Sequence, residues 1–198
     1  YHNHIYKLVD LPGLYSLTSY SIEEKVSRQY ILSDEVDVIV NVTDASSLER
    51  NLYLTIQLIE MGKPVVLALN MMDVVEDRGM EIDFHLLSKL LGIPAIPVCA
   101  RKKTGLDILM HTVSHHKGVK PKHRRLVVYS DLIEEKITKI TERLIEHDPT
   151  TSNPRFYAIK LLENDPEITE NCPVDISDIV DRSYETDIIN QKYDFIEA

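Results

Sequence analysis

The stretch that decides the fold runs from Val36 to Asp73: VDVIVNVTDASSLERNLYLTIQLIEMGKPVVLALNMMD. It opens on Val36–Thr43, a run rich in β-branched residues that reads as a buried strand. Ser46 with Glu49 has the spacing of a capping box. The helix it would open carries Leu48, Leu52, Ile56 and Ile59 on one side and closes at Gly62. Pro64–Asn70 is then an almost wholly apolar strand. A continuous apolar strand that follows an amphipathic helix belongs to a parallel sheet covered on both faces.

Working outward extends the alternation. Upstream, Ile5–Asp10 is a short strand candidate, and Ser21 with Glu24 caps a helix running to about Leu32. Downstream, Phe84–Leu91 is a helix ended by Gly92, Ala95–Val98 a fourth strand, and Thr104 to about His115 a further helix. The order strand–helix, repeated, predicts an α/β fold built on a parallel sheet whose ligands sit at the carboxyl ends of the strands. After about Lys122 the period changes. Leu126–His147 reads as a helix with Leu132, Ile133, Ile137, Ile140 and Leu144 on one side. Pro154 opens another helix, and Pro166 and Pro173 punctuate short ones. The expected organisation is an α/β domain over residues 1–121 and a small all-α domain over residues 122–198.

Composition sets limits. The 198 residues carry a formal charge of −10, with 43% hydrophobic and 27% charged residues. That balance suits a globular protein and argues against binding nucleic acid by phosphate neutralisation. Eleven acids lie between Glu163 and Ala198, opposed only by Arg182 and Lys192, which suggests a compositional boundary before Glu163. Cys99 and Cys172 form no CxxC, so a reducing compartment is the default. No apolar run approaches the length that spans a bilayer, and no secretory leader is seen. The chain begins on a strand and without Met, so a trimmed polypeptide is expected.

The chemistry lies at the strand ends. Asp10, in the run LVDLPGLYSL, closes the first strand, and Gly13 follows three positions later. A carboxylate there can hold Mg²⁺ through the ion's water shell. Gly13 lets its N–H approach a terminal phosphate closely. The strand Pro64–Asn70 runs into Asn70-Met71-Met72-Asp73. Asp73 can accept from both N1–H and N2–H of guanine, a donor pair adenine lacks, and hydrogen bonds to a charged group contribute roughly 1.5–3 kcal/mol each. Asn70 can brace neighbouring loops, and the Met71 side chain can lie on the base. The fourth strand ends in Cys99-Ala100-Arg101, where small residues let a backbone N–H reach the guanine O6.

Each signal alone is weak; in order, at successive strand ends, they resemble the third, fourth and fifth motifs of TRAFAC-type GTPases. The phrases VDLPGLYSLTSYSIEEKVSRQYIL and NVTDASSLERNLYLTIQLIEMGKPVVLALNMMD, with NPRFYAIKLLENDPE in the tail, resemble the cytosolic region of the prokaryotic ferrous iron transport protein B family. The resemblance covers essentially the whole chain. It implies a Ras-like GTPase domain lacking its first segments, followed by the family's helical domain. It further implies a module that binds GTP and GDP with Mg²⁺, with K⁺ as a candidate additional ion, and hydrolyses GTP slowly. Such a module would regulate Fe²⁺ uptake through a transmembrane domain C-terminal to residue 198, on the cytoplasmic face of the prokaryotic inner membrane. A homo-oligomer is compatible with it, and no nucleic-acid partner is expected. Two departures stand out. Leu14 occupies the position at which many GTPases place a water-orienting glutamine. No GxxxxGK[ST] occurs, and the family places that phosphate loop and the switch I threonine upstream of Tyr1. The 198 residues alone are therefore expected to hold nucleotide weakly. Two alternatives remain: a non-catalytic coupling module that relays nucleotide state to the membrane domain, and another TRAFAC GTPase, which the acidic balance disfavours. A nicotinamide dehydrogenase is excluded by the lack of a GxGxxG after a strand.

Lesser features have plainer explanations. His111, His115 and His116 read as a solvated helix end, His2 and His4 as surface residues, and Cys99 as a small buried residue beside the base.

Overall fold

The computed structural model of the protein describes residues 3–17, 21–119 and 125–198. The boundary expected between residues 121 and 122, and His2, lie outside them. Three strands, β1 (Ile39–Asp44), β2 (Val65–Asn70) and β3 (Ala95–Pro97), form one parallel sheet in the order β1-β2-β3. Asp44 pairs with Asn70, so β1 and β2 end together. β2 is central because it has no face for water: Val65, Val66, Leu67, Ala68 and Leu69 are each 2% exposed or less. Burying a Val or Leu contributes roughly 1.5–3 kcal/mol.

Helices lie between the strands. α1 (Ile22–Leu32) opens on the expected capping box: Ser21 Oγ accepts from Glu24 N–H, and Glu24 Oε2 accepts from Ser21 N–H. The second box does not form. Asp44 Oδ1 takes both the N–H and the hydroxyl of Ser46, at 2.8 and 2.7 Å, and makes a 3-10 turn over Ala45–Ser47. α2 (Leu48–Glu60) therefore starts one residue later, with Ser47 as its N-cap and no side-chain cap bond. α3 (Met72–Asp77) was not foreseen. It is followed by α4 (Phe84–Leu91), closed by Gly92 at φ +71°, and α5 (Leu106–His116). One core joins Leu52, Leu67, Leu69, Val75, Leu91 and Ala95 across α2, the sheet, α3 and α4.

Two strand expectations are corrected. Ile5–Asp10 forms no strand: the segment joins no ladder with a described strand, and Ile5 and Leu8 are exposed. A ladder needs a neighbour about 4.8 Å away. Here a cavity of about 1320 Å³ separates His4–Leu14 from the outer edge of β1. β1 itself, expected to be buried, is buried only at alternate positions. Asn41 and Thr43 are buried, whereas Val40 and Val42 are exposed and line that cavity. Burial of the polar pair is compensated: Asn41 Nδ2 donates to Thr55 Oγ1 at 2.8 Å, and Thr43 Oγ1 donates to the Ala68 carbonyl.

The rest is helical: α6 (Asp131–His147), α7 (Pro154–Leu162), α8 (Pro166–Glu170) and α9 (Glu185–Glu197). Ile133, Ile137, Ile140 and Leu144 face inward as the 3.6-residue period requires, but Leu132 is exposed. The compositional change at Glu163 marks no structural boundary; this acid is the centre of a buried ion cluster. Lys160 Nζ reaches Glu163 at 2.5 Å, and Lys192 Nζ reaches Glu163 at 3.3 Å and Glu60 of α2 at 2.9 Å. Tyr129 donates its hydroxyl to Glu60 at 2.7 Å. Burial would lower the Lys192 pKa, but Glu60 and Glu163 outweigh it and hold the ammonium well above the lysine range. Burial likewise opposes ionisation of Glu163, and Lys192 with Lys160 brings its pKa below the usual carboxylate value.

Removing one member of a buried ion group strands the others, at about 3–5 kcal/mol. Lys192→Ala is expected to lose that much in urea unfolding. In the unsubstituted chain the cluster's contribution is constant between about pH 5 and 10. It is lost on the acid side as pH falls below 4.5 through the folded-state pKa of Glu163, and on the alkaline side above 10.5 as Lys192 deprotonates. A stability profile lacking the acid-side loss in Glu163→Gln, relative to the unsubstituted chain, identifies Glu163 as its source.

Candidate functional site

The ends of β2 and β3 meet the start of α3 at one rim. Asn70, the last residue of β2, accepts from the Ala100 N–H through Oδ1 at 3.0 Å. This bond ties the end of β2 to the loop after β3. Met71 follows in the left-handed region at φ +66°, an uncommon conformation for a residue with a side chain. It turns the chain out of the strand and into α3, and leaves its own side chain exposed. Asp73 thereby falls in the first turn of α3, with its side chain 5% exposed. A carboxylate there is favoured by the free N–H groups of the helix start.

Asp73 is held ionised. Partial desolvation raises its pKa, but the Cys99 thiol, the Arg101 guanidinium and the Val74 N–H all donate to or face the carboxylate, and the net direction is down. Arg101 reaches Asp73 Oδ2 at 2.5 Å while its own side chain stays 76% exposed. Cys99 is buried, as the sequence suggested, and lies beside the acid. The structure thus brings Asn70, Met71, Asp73, Cys99, Ala100 and Arg101 to one rim. The sequence reading missed two contacts: the Arg101–Asp73 pair, and the use of the Ala100 N–H by Asn70. The signal for both was the placement of NMMD and CAR at adjacent strand ends.

Asp10 and Gly13 do not join this group. Both lie exposed in the unpaired segment that walls the cavity beside β1. Asp10 makes no ion pair with any described residue. Leu14 turns inward and packs with the cluster of Leu17, Ile31 and Val65. On α5, the His111 and His115 rings lie 4.2 Å apart, and no group of three or more His, Cys, Asp or Glu is placed to hold a metal among the described residues. Among them, too, no helix is long and apolar enough to cross a membrane.

Comparison with known proteins adds independent information. A family model described as ferrous iron transport protein B matches residues 1–113, and one described as the FeoB cytosolic helical domain matches residues 129–198. The Fe(2+) transport protein A/Fe(2+) transporter FeoB fusion protein of Porphyromonas gingivalis is 45% identical over 168 residues, which is 82% of this chain and 20% of that protein. The Fe(2+) transporter FeoB of Legionella pneumophila (strain Paris) is 40% identical over 174 residues, 85% of this chain and 23% of that protein. The chain therefore spans about a fifth to a quarter of these relatives. Among solved structures, S. thermophilus NFeoB bound to GDP·AlF4⁻ and K⁺ is 41% identical, with a TM-score of 0.85 over 95% of this chain and 78% of that one. The cytosolic domain of the T. maritima FeoB iron transporter in its GMPPNP form is 32% identical, with a TM-score of 0.85 over 96% of this chain and 77% of that one.

The loop that carries Ala100 and Arg101 has a narrow backbone requirement. Cys99 and Thr104 pair across it, and Gly105, at φ +78°, ends it and caps α5. A Cβ on Gly105 would stand 2.3 Å from the Pro97 carbonyl oxygen. Gly105→Ala is expected to destabilise the chain by roughly 1–3 kcal/mol, measured by thermal unfolding, because it adds this clash to a strained φ. A change within 0.5 kcal/mol would show that the loop relaxes freely.

Proposed function

The chain belongs to the ferrous iron transport protein B family, as its G domain followed by its cytosolic helical domain, and on that premise we propose that it is the guanine-nucleotide-responsive module of a membrane Fe²⁺ transporter. The observation that carries the reading is the buried Asp73 carboxylate, held at the same rim as Asn70 and the 99–101 loop. Asp73 would accept from N1–H and N2–H of guanine. Met71, already exposed, would lie against the base. Asn70 would keep the loop in place, and the Ala100 N–H, now on Asn70, would be shared with or passed to the guanine O6. The related structures with GDP, GMPPNP and GDP·AlF4⁻ with K⁺ support a nucleotide of this class.

The phosphate end would draw on Asp10 and Gly13. Mg²⁺ prefers one or two carboxylates, several waters and the phosphates themselves. The single exposed carboxylate of Asp10 fits that demand, and the bound ion would neutralise charge on the phosphates. Gly13, with open space where a Cβ would stand, leaves room for a γ-phosphate to approach its N–H. Leu14 is committed to the apolar cluster and has no polar atom with which to orient water, so slow hydrolysis is expected unless other groups supply that function. The phosphate loop, which the family resemblance puts ahead of Tyr1, would hold the remaining phosphates. We place the division between nucleotide and helical parts at residues 121 and 122. The iron path and the transmembrane partner would belong to the longer protein, with this module on the cytoplasmic face of the inner membrane.

A second reading, a coupling module, is favoured by one further observation. α1 follows the DLPG segment, and its Arg28 side chain is 2% exposed. The guanidinium pairs with Asp165 Oδ2 at 2.5 Å and also with Glu167, both at the start of α8. Gln29 donates to the same Glu167 at 2.9 Å. A change at DLPG would therefore be transmitted to the helical part through a buried ion pair. The two readings are compatible: one states what is bound, the other where the binding is felt.

Two outcomes test them in the full-length protein with its phosphate loop. Asp73→Asn is expected to weaken GDP binding at least tenfold and to favour xanthosine diphosphate, read by displacement of a fluorescent nucleotide; unchanged GDP affinity would refute the base assignment. Arg28→Met, which keeps length but removes the charge, is expected to leave GDP affinity within about threefold while abolishing the nucleotide dependence of Fe²⁺ uptake. Uptake that still follows nucleotide in this variant would remove Arg28 from the relay.

A further inference from the structure

We propose that Arg101 is a built-in stand-in for guanine, occupying Asp73 when the base site is empty and setting how readily nucleotide enters and stays. The proposal rests on the reading of Asp73 as the guanine-recognising residue and goes beyond it by naming a residue that competes for the same carboxylate. The chemistry of the two groups is closely matched. The edge of guanine that meets an aspartate is N1–H, C2 and N2–H, a planar N–C–N fragment with its hydrogens pointing one way. A guanidinium is also a planar N–C–N fragment with outward N–H donors, and it is the side chain best suited to a carboxylate.

The placement matches as well. Three groups act on the Asp73 carboxylate, and of these Arg101 makes the direct ion pair. The Cys99 thiol and the Val74 N–H belong to the walls of the site. The third, Arg101 Nη2 at 2.5 Å, comes from a side chain that is 76% exposed while the acid it reaches is 5% exposed. Arg101 thus enters the site from the solvent side, the direction from which a base must come. An ionised carboxylate left 5% exposed without that donor would be poorly satisfied. Either the guanidinium or the base can fill the place, and both together would crowd one carboxylate.

The exposure of Arg101 also sets the size of the effect. Ion pairs with one freely solvated member are weak and screened by salt. The stand-in is easily displaced, so it lowers nucleotide affinity by a factor of about three to five and does not block the site. Such a group keeps the acid satisfied between nucleotides and takes it over as a base departs.

The test uses the full-length protein and a fluorescent GDP analogue, with Kd and dissociation rate measured at rising KCl. Arg101→Met removes the charge at similar length. The expected result is a Kd lower by about three- to fivefold at low salt, with slower dissociation, and a gain that fades toward 0.5 M KCl as screening removes the pair from the unsubstituted protein. In an Asp73→Asn background the same Arg101→Met change is expected to alter Kd by less than about 1.5-fold, because the competitor then has nothing to compete for. Weaker or unchanged GDP binding in Arg101→Met would overturn the proposal, since Arg101 would then be a contact of the bound nucleotide or a bystander. If Asp73→Asn alone left GDP affinity unchanged, the base assignment itself would fail, a separate result from failure of the stand-in.

Discussion

The structure depends on one strand having nowhere to put water. β2 is flanked by β1 and β3, and its five apolar residues are covered on both faces. Its backbone must therefore be paired on both sides, which is why β1 and β3 run parallel to it and in register. The consequence for the site is positional. A strand this buried can release its chain only at the sheet's end, and Asn70 and Met71 make that exit, through a side-chain brace and a left-handed backbone. The site residues of NMMD are presented where they are because the five residues before them cannot be anywhere else.

Where a reading of the sequence succeeds and where it fails follows the same physics. β2, α1 and α4 were legible because local signals and burial agree: an unbroken apolar run, a reciprocal cap at Ser21 and Glu24, and a glycine stop at Gly92. The cap at Ser46 and Glu49 looked equally good and does not form, because Asp44 lies two residues upstream and takes the Ser46 hydroxyl first. β1 was recognised as a strand but its faces were not, since VIVNVT carries β-branched residues on both. Only the partners Thr55 and the Ala68 carbonyl decide that the polar pair goes inward. Ile5–Asp10 has strand-like composition, and composition cannot supply a neighbour. At the site, the residues were legible one by one, but the Arg101–Asp73 pair joins positions on two strand ends and exists only in the folded chain.

The acidic tail shows the limit of reading charge as surface. Glu163 and Asp165 look like the start of a solvated acidic stretch, yet both are buried, one among Lys160 and Lys192 and the other against Arg28. Such groups are weak evidence for net stability, because desolvation offsets much of the attraction. Their stronger effect is on geometry. An ion buried between two parts of a chain tolerates very little relative movement, so Glu60 with Lys192, and Arg28 with Asp165, fix how the helices after residue 130 sit on α1 and α2.

The outer edge of β1 has a practical consequence. Its backbone faces a cavity where a further strand would fit, and Val40 and Val42 lie open beside it. Among the described residues this edge has no strand partner, and an edge of that kind accepts a further strand, from the longer protein or from another molecule. Charged residues stand at the opening: Lys7 with Glu35 at 3.5 Å, and Lys117 with Asp37 at 3.1 Å. Exposed as they are, these ions add little to folding. Their hydration would have to be shed as a second edge approached, so they make that approach costlier than a bare apolar rim would.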